Sequence, residues 1–184
     1  MSKQATADRS VGAPLFQSRA ETRIAAAPDV VYDVVSDLTR SGEWSPECRG
    51  GTWETGEPGA VGSVFRGENE RAEDVVAWAP VVRGTWTTYA EVVAAEPGRT
   101  FRWAMRDSKG NRQESVWAFD VVRDGDGTLL THHFRMDAAT EGIRGITAGM
   151  DDTRRQAFFA EWGEKVARDL AETLRRIRTV LEKH

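Results

Sequence analysis

Little in this chain could form a disulfide, hold a metal or grip a phosphate backbone. Cys48 is the single cysteine, so no internal disulfide can form and a reducing, cytoplasmic compartment is expected. Histidines number three. His132 and His133 are neighbours in a segment of strand character, where successive side chains point to opposite faces, and His184 ends the sequence; no shared ion is expected among them. Acidic residues (29) outnumber Lys and Arg (25), for a net charge of −4, which argues against nucleic acid as a partner. No apolar run approaches the roughly 20 residues needed to span a bilayer, and the small, polar start lacks the order of a secretory signal. A phosphate-cradling glycine loop, a Gly-x-Ser-x-Gly elbow and a His-Glu-x-x-His motif are all missing. Neither a metal nor a cofactor is expected.

What the chain has in plenty is tryptophan: seven, at 44, 53, 78, 86, 103, 117 and 162. Rings of that size suit the wall of an apolar pocket, and equally the filling of a core. With 40% apolar and 29% charged residues over 184 positions, a single domain with a sizeable core is expected at 15–184, after a flexible tail at 1–14.

Period-two alternation over 16–24 places Phe16, Ala20 and Ile24 on one side, the pattern of a half-buried strand. Pro28 and Asp29 then open a short amphipathic helix carrying Val31, Val34, Val35 and Leu38, and Gly42 and Pro46 close this helical region. Six further strands are predicted at 51–54, 61–69, 85–95, 100–107, 113–123 and 128–137. The turn signals between them, Glu-Pro-Gly at 57–59 and 96–98, Ser-Lys-Gly-Asn at 108–111 and Asp-Gly-Asp-Gly at 124–127, imply antiparallel pairing. A long helix is expected over 152–182. Its apolar stripe comprises Phe158, Trp162, Val166, Leu170, Leu174, Ile177 and Leu181, with Glu161–Lys165, Glu164–Arg168 and Glu172–Arg176 as i,i+4 pairs. One helix cannot cover seven strands, so a curved sheet should leave a hollow between them.

Three segments resemble a known family: Ile-Ala-Ala-Ala-Pro at 24–28, Val-Tyr-Asp-Val-Val-Ser-Asp at 31–37 and Glu-Trp-Ser-Pro-Glu at 43–47. Segments 61–69, 96–103 and 116–119 fit as well. The chain looks like a polyketide cyclase/dehydrase-like protein of the START-like, helix-grip superfamily. That resemblance implies an α+β fold: a curved seven-stranded antiparallel sheet wrapped around a long C-terminal helix, with two short helices after the first strand. It implies a small hydrophobic molecule as partner of a monomer or homodimer. It also implies an enzyme of the cyclase/aromatase kind, folding a flexible polycarbonyl chain toward ring closure or loss of water. A non-catalytic carrier of a lipid, quinone or similar molecule needs the same cavity. An interaction module with a filled cavity is the third reading. Inferring a reaction here is fold-level analogy.

One departure from the family stands out. Residues 70–84 intervene before the next Trp-containing strand and carry Val-Val-Ala-Trp-Ala-Pro-Val-Val at 75–82. A longer hairpin or helical turn, a lid over the cavity and a dimer contact all remain open.

Strand parity selects the candidate chemistry. His132 shares a face with Leu130, Phe134 and Met136 and points inward, either as a proton shuttle or as a core histidine bonded to a neighbour. Asn69 shares the face of Phe65 and could bond a ligand carbonyl or a developing oxyanion, or simply end its strand. Glu47, near the expected cavity mouth, could act as a general base if burial raises its pKa, or be a solvated loop residue. Trp44, Phe65, Trp86, Trp103, Trp117, Phe119, Phe134 and Trp162 are the candidate ligand-binding wall.

Overall fold

The computed structural model describes residues 13–71 and 84–183. The expected tail lies almost wholly outside them, and so do the expected loop at 75–82 and His184. Strand β1 (Phe16–Ile24) leads into α1 (Pro28–Ser36), a 3-10 turn (Leu38–Arg40) and α2 (Ser41–Trp44). Six strands follow: β2 (Cys48–Thr55), β3 (Val64–Arg71), β4 (Gly84–Glu96), β5 (Thr100–Arg106), β6 (Arg112–Asp124) and β7 (Gly127–Met136). Helices α3 (Glu141–Thr147) and α4 (Asp152–Glu182) end the chain.

The strands form one curved antiparallel sheet in the order β1-β7-β6-β5-β4-β3-β2. Hairpin connections place sequence neighbours side by side, and β1 closes the far edge on β7 with Ala20 opposite His132. This is the helix-grip α+β architecture that the element order anticipates.

Local chemistry accounts for most boundaries. Pro28 occupies the first turn of α1, where its missing N–H costs nothing, and Val31, Val34 and Val35 are buried. Asp37 accepts from the Thr39 backbone N–H at 3.1 Å and so caps the 3-10 turn. Asp151 caps α4 by accepting from the Arg154 N–H at 2.8 Å. Strand β3 starts at Val64, three residues later than expected, because 60–63 is a turn. There Gly62 (φ 88°) donates to the Val92 carbonyl at 2.8 Å, and Ser63 donates to that of Ala60 at 3.1 Å. Helix α3 was not expected from the sequence. It is held by its Thr140 cap and by buried Ile143, too short to show a periodicity.

The core has two parts. A larger one joins α1, Trp44, Phe65, Phe101, Phe119, Leu130, Leu174 and Ile177; a smaller one joins Phe134, Met136, Ile143, Phe158, Val166 and Leu170. Helix α4 packs chiefly on β1 and α2 and only lightly on β7. Helix α1 covers part of β5, β6 and β7, whereas among the described residues no helix packs closely on β3 and β4, whose concave face carries small residues at Gly67, Thr88 and Ala90. That is the physical origin of a cavity.

Candidate functional site

A cavity of about 920 Å³ lies between the concave sheet, α2, α3 and α4. Strands β3, β6 and β7 contribute alternate residues to its wall, as the pleat requires, while β4 contributes the continuous run 85–90. Trp44, Phe65, Trp86, Trp103, Trp117, Phe134 and Trp162 border it, together with His132, Asn69 and Glu47. Phe119 does not. It is fully buried behind the wall, edge-on to Trp44 at 5.6 Å and stacked on the His132 ring at 4.1 Å. Parity had put it on the right face, but its neighbours cover it.

His132 is buried, and its Nδ1 lies 3.0 Å from the Ala118 carbonyl. A carbonyl can only accept, so Nδ1 carries the proton and Nε2 is the unprotonated nitrogen. Burial pushes the pKa down to about 4, with a smaller push from His133, while the Ala118 bond works in the opposite direction. The ring is neutral at pH 7 and a weak base. His133 faces the other side of the sheet, with Nε2 2.7 Å from Asp120 Oδ2.

Asn69 is placed by β3 opposite Trp86 of β4. Its Nδ2 donates to Thr88 Oγ1 at 3.0 Å and to the Gly67 carbonyl at 3.2 Å. The amide N–H groups are thereby engaged within the sheet, which corrects the expectation of a donor held ready for an oxyanion. Gly51 of β2 is needed for the neighbouring strand to approach: a Cβ there would lie 1.9 Å from the Arg66 carbonyl oxygen.

Glu47 departs furthest from expectation. Burial does raise its pKa, but the bidentate hydrogen bonds of Arg71 and the charges of Lys165 and Arg71 outweigh it and leave the pKa below the usual carboxylate range. Arg71 Nε and Nη2 sit 2.5 and 2.8 Å from Glu47 Oε1 and Oε2, the strong fork geometry. Lys165 Nζ lies 2.7 Å from Glu47 Oε1 and also bonds Asp169 Oδ2. A general base held in this way is unavailable. The pairing also overturns the expected Glu161–Lys165 pair: Lys165 turns inward and is 4% exposed.

Arg71, Lys165 and Asp169 were missed in the sequence. Arg71 continues the 65, 67, 69 parity by one step, and its guanidinium stacks on Trp86 at 4.9 Å. Lys165, Asp169 and Thr173 recur every four residues beside the apolar stripe of α4. That spacing was the available signal.

The sheet and the long C-terminal helix define a START-like, helix-grip fold with an aromatic-lined cavity. A family model described as polyketide cyclase/dehydrase and lipid transport matches residues 16–182. The chain belongs to that family, which gives it a cyclase-like or ligand-binding role. It is similar to the polyketide-cyclase-like protein Cgl2372 of Corynebacterium glutamicum, at 31% identity over 91% of this chain and 94% of that one, with a TM-score of 0.51. It shares its fold with a START superfamily protein of Mycobacterium smegmatis, at 13% identity, coverage of 91% and 97%, and a TM-score of 0.62. It also shares the fold of BexL, the di-domain ARO/CYC of the BE-7585A biosynthetic pathway, at 17% identity and a TM-score of 0.66, covering 92% of this chain and 50% of that one. No curated protein matches the chain. Among the described residues no helix is long and apolar enough to cross a membrane.

Proposed function

We propose that the protein encloses a flat or foldable hydrophobic molecule in the 920 Å³ cavity and promotes its cyclisation or dehydration, mainly by confinement. The observation that carries this reading is an aromatic chamber bordered by a neutral histidine whose Nδ1 proton is committed to Ala118. Holding two reacting carbons in near-attack geometry replaces several kcal/mol of barrier without a strong base. His132 Nε2 would accept a proton or hydrogen bond from the folded chain. With a pKa of about 4 its contribution is at the low end of general-base effects, about a hundredfold. Asn69 and Glu47 would position neighbours rather than transfer protons.

The test joins binding and turnover. Apolar aromatic probes should quench the tryptophan fluorescence, and a short poly-β-ketone thioester should cyclise faster with the protein than in buffer. His132→Gln should lower that rate ten- to a hundredfold while sparing binding. A second reading, a carrier of hydrophobic molecules, is favoured by the internal satisfaction of Asn69 and Glu47. Saturable binding with no acceleration over buffer would establish it and end the catalytic one.

A further inference from the structure

The cavity wall is apolar over most of its extent, and charged side chains border it in two groups: Arg106, Asp107 and Glu141 near β5 and α3, and a second group beside the loop before β2. There Glu47 from the loop before β2, Arg71 from the end of β3 and Asp169 from α4 all border the space, with Lys165 packed outside the lining. Two cations and two carboxylates meet within ion-pair distance. Such a group is a poor choice for stability, because desolvating four charges offsets most of their attraction and apolar residues of similar size would serve as well. Its position on the wall gives it another use.

We propose that this end of the chamber recognises a neutral hydroxyl or enol on an otherwise hydrophobic ligand, in preference to a carboxylate. The proposal rests on the cavity being a ligand chamber and adds the chemistry of one end of that ligand. A hydroxyl both donates and accepts, so it can add to a charge-balanced set of donors and acceptors without breaking a pair. It would donate to Asp169, which borders the cavity. A ligand carboxylate would have to compete with Glu47 for Arg71, which already holds it by two bonds of 2.5 and 2.8 Å, and would stand beside two like charges. An ammonium would compete with Lys165 for the same two carboxylates. Asp169 is the freer of the two acids: it shares Lys165 with Glu47, and Glu47 also holds Arg71. Burial raises the Asp169 pKa against the pull of Lys165, with Glu47 adding to the rise. This suits a carboxyl that exchanges hydrogen bonds with a neutral partner.

Three probes of one ring system separate the possibilities by calorimetry: 2-naphthol, 2-naphthoate and 2-methylnaphthalene. The naphthol is expected to bind about tenfold more tightly than either of the others, the increment of one hydrogen bond to a charged group. Asp169→Leu should remove that preference, read as the ratio of 2-naphthol to 2-methylnaphthalene affinity. Asp169→Asn, which keeps the shape, should reduce it, provided its circular dichroism and melting match the parent. Naphthoate binding more tightly than naphthol, or a naphthol preference untouched in both variants, would overturn the proposal while the chamber stands. If none of the three binds, the chamber reading itself falls and takes this one with it.

Discussion

Two ends of one cavity treat buried polar groups in opposite ways. Around His132 the surroundings are aromatic: Phe119 stacks at 4.1 Å, with Trp117 and Trp103 at 5.8 and 6.3 Å. A charge there would have no counter-ion, so the imidazole gives up its proton instead. Around Glu47 opposite charges lie within ion-pair distance, and Arg71 and Lys165 hold its pKa below the usual carboxylate range despite burial. Burial alone therefore does not decide protonation; the available partner does. The same contrast separates the chemistry each end can offer, a weak neutral base at one and a polarised hydrogen-bonding set at the other.

The strongest way to break the contrast is to remove the shared cation. Lys165→Met should destabilise the fold by about 4 kcal/mol, since it leaves two carboxylates facing each other in a half-buried setting. Urea denaturation at pH 7 measures this, and adding Asp169→Leu should restore part of the loss. An unchanged stability with the lysine change alone would mean the charges are already screened by water.

The histidine end is tested by acid. A His132 pKa of about 4 in the folded chain against 6.5 unfolded means that the unfolded state binds more protons between those values. Its contribution is thus complete above pH 6.5 and is lost as the pH falls toward 4, by about 3 kcal/mol at most. His132→Gln should flatten that part of the stability profile relative to the parent. A parent profile with no slope in this window would show that the ring is charged within the fold.

The smallest expected effect lies between the two ends. Asn69→Ala should cost about 1 kcal/mol, the net value of the bonds to Thr88 and Gly67. A chemical-denaturation midpoint measures it, and a much larger loss would mark Asn69 as a structural pillar of β3 and β4.

Much of this architecture was legible in residue order. The two-residue period of a strand dictates facing, so Phe65, Asn69, Trp103, Trp117, His132 and Phe134 could be assigned to the inner face before any pairing was known. The stripe of α4 and its limits followed from the 3.6-residue period and the Asp151 cap. Phe119 shows the limit of parity: the right face can still be covered by Trp44 and His132. Glu47 shows another, because its pKa depends on Arg71 and Lys165, which come from distant parts of the chain.

By itself, then, the sequence determined the seven strands, the helices after the first strand and α4, their order and the facing of most strand residues, because those follow from local periodicity and turn chemistry. Tertiary structure alone decided that α4 lies along β1 and α2 rather than across the middle strands, and that Lys165 meets Glu47 instead of Glu161. Those outcomes depend on which distant surfaces bury each other and on how desolvated charges find partners, and neither is encoded in the spacing of neighbouring residues.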